Sequence, residues 1–109
     1  MTYAAALSVI RRYLDERLPE PTNPRAINEF KERTYSRWAA NEILCRIMDE
    51  ELKLPYHISG LEQRVPIEVV KEFIDELYTA WELTKKKDQK FVYSCALYTA
   101  EDILSKLYY

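Results

Sequence analysis

The sequence predicts an all-α domain, a small bundle of four to five helices in which the C-terminal helix is central. Three observations predict it. The chain of 109 residues has one glycine, Gly60, whereas hairpin turns and phosphate loops draw on glycine for their positive φ angles and close approaches. Apolar side chains recur at spacings of three and four through most of the chain, the period of a helix with one face on a core. Prolines and capping residues interrupt that period at only a few points, so the stretches between them have helix rather than strand length. Residues 1–109 form a single domain by size, with room for one core.

Thr2 is a good N-cap, and a first helix follows to about Leu18 with Tyr3, Leu7, Ile10, Leu14 and Leu18 on one stripe. Pro19, Pro21 and Pro24 forbid its continuation, and residues 19–23 read as a linker. Asn23 before Pro24 marks a second helix start, running to about Lys53. Its apolar positions include the pair Ile27 and Phe30. Beyond them Trp38, Cys45, Met48 and Leu52 form one line, with Ala40, Ile43, Leu44 and Ile47 beside it. So long a helix is unusual in a small domain, and Thr34 offers a second cap, so a break is expected near residues 33–36.

Residues 54–65 read as the main loop, holding Pro55, His57 and Gly60, with a capping-box spacing from Ser59 to Glu62 that suggests a short helical turn. Pro66 opens the next helix, to about Thr84, with Ile67, Val70, Ile74, Leu77 and Trp81 toward the core. Lys85, Lys86 and Lys87 suit a helix C-terminus, and Asp88 then caps the last helix. There Tyr93, Leu97, Ala100, Leu104 and Tyr108 make one stripe, Val92, Ala96, Ile103 and Leu107 a second, and Phe91, Cys95 and Tyr98 occupy a third side. The first half of this helix is apolar nearly all round, which is why it is expected at the centre.

Composition excludes several function classes. A single glycine argues against P-loop and dinucleotide-binding enzymes. The net charge of −2, from 16 basic and 18 acidic side chains, argues against a dedicated nucleic-acid binder. Cys45 and Cys95 with the lone His57 do not make a zinc set, and no Glu-x-x-His pair supports a di-metal bundle, so no metal or cofactor is expected. The two cysteines read as small buried apolar side chains in a reducing cytosol; sequence leaves open whether they pair. With no basic leader at the N-terminus and no apolar run of spanning length, the expected location is the cytoplasm, with no membrane contact.

No catalytic residue is singled out. His57 and Ser59 share a loop, but without the elbow or oxyanion turn that nucleophilic catalysis needs. Asp49, Glu50 and Glu51 read as a solvated helix end. The most distinctive surface is on the helix after Pro66, where Glu68, Glu72, Asp75 and Glu82 project within about a quarter-turn of each other. Residues 61–83 hold six acids against two bases. Such a face is often only the wet side of an amphipathic helix; its functional reading is a docking surface for a protein with a basic surface. Arg25, Lys31, Arg33 and Arg37 interleave with Tyr35 and Trp38, a pattern that can hold phosphates and stack bases, although Glu29 and Glu32 sit within it. Nine tyrosines add a mild signal for an interface or self-association.

The resulting expectation is a non-catalytic protein-interaction module, a small cytoplasmic adaptor, inhibitor or immunity-type protein, docking through Glu68, Glu72, Asp75 and Glu82. The alternative is a nucleic-acid-associated regulator using residues 25–38.

Overall fold

The computed structural model describes residues 2–23, 25–52 and 64–108. These residues build four helices: α1 Tyr3–Arg17, α2 Ile27–Leu52, α3 Pro66–Leu83 and α4 Lys87–Leu107. The expected turn at Ser59–Glu62, His57 and the glycine lie outside the described residues.

Thr2 starts α1 as its side chain predicts: its hydroxyl oxygen accepts the Ala5 N–H at 3.1 Å. Leu7 and Ile10 of the expected stripe are buried, with Ala6 and Tyr13 beside them, while Tyr3 and Leu14 pack partly against the core. At the far end the Leu18 N–H closes on the Leu14 carbonyl, and the prolines end the helix. Asn23 caps a turn rather than a helix. Its side chain accepts the Arg25 N–H at 3.1 Å, and the helical run begins only at Ile27.

The break expected near residues 33–36 is absent, and α2 runs through 26 residues. Thr34 caps nothing; its hydroxyl donates to the Phe30 carbonyl one turn back, at 2.8 Å, a bond made inside a continuing helix. The core line also differs from the expected one. Trp38, Cys45, Met48 and Leu52 are all exposed, and the neighbouring line of Ala39, Ala40, Ile43 and Ile47 is buried instead. Small and branched side chains let α2 come close to its neighbours. A core-facing Trp38 would hold the helices apart.

α3 follows the pattern most closely. Pro66 sits in its first turn, where the missing N–H is harmless, and Val69, Val70, Phe73, Ile74 and Leu77 are buried. Ile67 and Trp81 pack partly against them. α4 starts two residues earlier than Asp88 would set it as a cap. Lys86 occupies the N-cap position without a side-chain hydrogen bond, and the Thr84 hydroxyl donates to Gln89 Oε1 at 2.6 Å across the turn.

α4 touches all three other helices, most extensively α2 and α3. Its burial is confined to its second half: Ala96, Leu97, Thr99, Ala100, Ile103 and Leu107. Ala39 and Ala40 on α2, with Ala96 and Ala100 on α4, all fully buried, let these two helices pack closely. Residues 27–38 of α2 and 87–95 of α4 hold no buried residue.

Candidate functional site

The acidic side chains on α3 lie where the spacing puts them. Glu68, Glu72, Asp75 and Glu82 are all exposed, opposite the buried stripe. Their roles divide. Glu72 is bound by Nη1 of Arg64, the residue two before α3, so its charge is already met within the chain. Glu68, Asp75 and Glu82 form no ion pair among the described residues. Glu76, on the flank, meets Arg46 of α2 at 2.7 Å, and the Arg46 guanidinium lies 4.6 Å over the Phe73 ring.

Arg64 also grips Glu50 through Nε at 3.1 Å and through Nη2. Glu50 is 4% exposed, so the expectation of a solvated helix end fails at this residue. A carboxylate there needs partners, and Arg64 supplies a charged one. The Tyr3 hydroxyl donates to the Arg64 carbonyl at 2.6 Å, so α1, α2 and α3 meet at one residue. Hydrogen bonds that it donates to Glu50 and then to Glu72 hold the Arg64 guanidinium more firmly charged than usual.

The basic and aromatic segment is partly occupied by the fold itself. Arg33 donates to the Pro19 carbonyl at 3.1 Å, and Arg37 donates to the Leu18 carbonyl and lies 4.0 Å from Glu20. Two of the four cations proposed for phosphate contact therefore fasten the linker after α1. Tyr35 meets the Phe91 ring edge-on, and Trp38 meets Phe73 the same way, both with centroids 6.0 Å apart.

The surface that sequence reasoning missed is the uncovered end of the α2–α4 pair. Ile27, Phe30 and Trp38 of α2 and Phe91 and Tyr98 of α4 are exposed, Trp38 at 46% and Tyr98 at 73%; Phe91 and Tyr98 line one cleft, whereas Trp38 lines a separate hollow with Tyr35, Val92 and Tyr93. Between the helices a cleft of about 630 Å³ opens, with Glu29 and Glu32 on the α2 side, Phe91, Cys95 and Tyr98 on the α4 side, and Leu18 at its end. A signal existed in the third apolar side of the last helix, Phe91, Cys95 and Tyr98. It was assigned to a central position and so to the core.

Cys45 is exposed and Cys95 half-buried, and the two are not bonded to each other, which corrects the expectation of two core side chains. Burial, and next the nearby Glu32 carboxylate, push the Cys95 thiol above its ordinary value. Among the described residues no group of three or more His, Cys, Asp or Glu side chains is placed to hold a metal ion, and no helix is long and apolar enough to cross a membrane. Comparison with protein-family models, with characterised proteins and with solved structures finds no match to this chain.

Proposed function

We infer that the protein is a non-catalytic protein-interaction module, a small cytoplasmic adaptor, inhibitor or immunity-type protein that docks a partner protein through helix surfaces. One observation carries this reading: Phe91 and Tyr98 stand exposed on the α4 wall of the cleft facing α2, with Glu29, Glu32 and Arg33 on the opposite wall. A grouping of large exposed apolar residues with a polar rim is characteristic of surfaces that another molecule covers. Tyr and Trp are the side chains most enriched in such contacts.

The carboxylates of Glu68, Asp75 and Glu82 add a second feature in its favour. They project from α3 without an ion pair among the described residues, and they suit the electrostatic steering of a basic partner. Glu72 belongs to the fold rather than to this face because Arg64 already engages it. Cys95 supports the non-catalytic part of the reading: a nucleophilic cysteine needs a lowered pKa, and this one is raised. Unbonded thiols at Cys45 and Cys95 fit a reducing compartment.

The test is capture by the tagged full chain from native lysate of its source, beside two variants. One carries Glu68→Gln, Asp75→Gln and Glu82→Gln; the other carries Phe91→Ser and Tyr98→Ser. A single stoichiometric protein, retained about tenfold less by the Phe91/Tyr98 variant, is the expected result. Nucleic acid that elutes with salt, or no bound protein at all, overturns the reading.

A further inference from the structure

We propose that the cleft between the first halves of α2 and α4 is a groove for a basic amphipathic helix of a partner protein, a proposal that rests on the interaction-module reading above. Its walls are two helix faces. Glu29 and Glu32 lie three apart on α2, and Phe91, Cys95 and Tyr98 recur at i, i+4 and i+7 on α4. Leu18, at the end of α1, closes one end of the cleft with an apolar side chain.

The charge of the groove is what selects the occupant. Neither Glu29 nor Glu32 makes an ion pair among the described residues. The cation beside them, Arg33, is turned to the Pro19 carbonyl at 3.1 Å. Arg33 lines the same cleft and keeps its charge, so the groove combines an apolar wall with two carboxylates against one guanidinium, a net negative lining. Phe91 and Tyr98 add ring faces, which also attract a guanidinium or ammonium group. That combination fits an apolar side chain followed, one helical turn on, by arginine or lysine.

Size and symmetry argue for a helix over a second copy of this chain. The two walls, residues 29–36 and 91–98, are each about two turns or 10 Å long. A stable contact between two globular faces takes about 20–30 residues a side, whereas a helix laid in a groove is held by a few anchors at i, i+3, i+4 and i+7. A two-fold contact whose axis crosses both walls would also set Glu29 and Glu32 of both copies against each other.

The probe is a synthetic helical peptide with Leu and Arg on one face, and a counterpart with Glu in place of Arg. Each is titrated into the isotope-labelled full chain and followed by backbone amide shifts. The Leu/Arg peptide is expected to move amides in residues 29–36 and 91–98, and the Leu/Glu peptide to leave them unmoved. Glu29→Gln with Glu32→Gln, both at exposed positions, should weaken the binding by about tenfold while the circular dichroism spectrum stays unchanged. Equal binding of the two peptides, or no shift in either segment, overturns the groove. Shifts confined to residues 68–82 also overturn it while leaving the interaction-module reading standing, since that reading fails when capture returns nucleic acid or no protein.

Discussion

Arg64 illustrates how much one side chain can organise. It reaches a buried carboxylate on α2 and an exposed one on α3 while its own carbonyl receives the hydroxyl of Tyr3. The two ion pairs differ in weight because water reaches them differently. Glu50 is buried, so losing Arg64 strips a charged partner from a carboxylate that solvent barely touches. Arg64→Met should therefore cost about 2 kcal/mol, toward the low side for a buried pair because Arg64 itself is part-exposed. Thermal melting should show it as a fall of roughly 10 °C. Glu72→Gln should cost less than about 1 kcal/mol, as exposed pairs do. Equal losses for the two variants would show that burial of Glu50 does not set the energetics. None of this was legible in the sequence, where Asp49, Glu50 and Glu51 form a run of like residues. Only the angle at which α2 meets α3 picks out the middle one.

At the scale of the helix, the sequence specified where elements begin and end better than which face turns inward. Thr2 and Pro66 mark their helices because capping and proline geometry are local. The α3 stripe was legible because its apolar and charged residues separate cleanly round the helix. α2 was not, since two adjacent apolar lines compete and only packing density decides for Ala39, Ala40, Ile43 and Ile47 over Trp38 and Met48. The start of α4 shows the same limit. The lysines that looked like the end of α3 instead flank the start of α4, with Lys86 at the N-cap and Lys87 in the first turn. Cations there oppose the positive end of the helix dipole, and Lys86 offers no acceptor to the free N–H groups. Lys86→Asp should thus stabilise the protein by about 1 kcal/mol. The urea midpoint should rise with its slope unchanged; a variant no more stable than the parent would place the helix start elsewhere.

Across the whole molecule, α1 is joined to α4 at a distance by Tyr13, whose hydroxyl donates to Asp102 Oδ2 at 2.7 Å with Arg17 3.8 Å from the same oxygen. Burial first, and then the bond to Asp102, raise the Tyr13 pKa well above its ordinary 10.0. Below that pH both folded and unfolded chains keep the phenolic proton, and the contact contributes in full. Above it the unfolded chain releases the proton first, so stability falls as pH rises, by about 1.4 kcal/mol per pH unit. Tyr13→Phe should cost about 1 kcal/mol at neutral pH, and its deficit against the parent should shrink above pH ~10. A deficit constant into strong alkali, read from urea melts across pH, would separate Tyr13 from that dependence. The all-helical architecture was legible at this scale because one glycine and a pervasive three-to-four spacing leave few alternatives. The uncovered end of α2 and α4 was not, because an apolar helix face looks the same in a sequence whether its own chain or another molecule covers it.

The Arg64 clamp has a consequence for the length of the chain. Arg64 holds Glu50, two residues before α2 ends, so an ion pair ties the end of α2 to the start of α3. For such a closed connection the entropic cost of extra residues grows only as the logarithm of length. A doubling costs about 0.6 kcal/mol. The clamp is made by Glu50 and Arg64 on either side of residues 53–63, so a tag or a second domain inserted there is expected to leave the four helices in place.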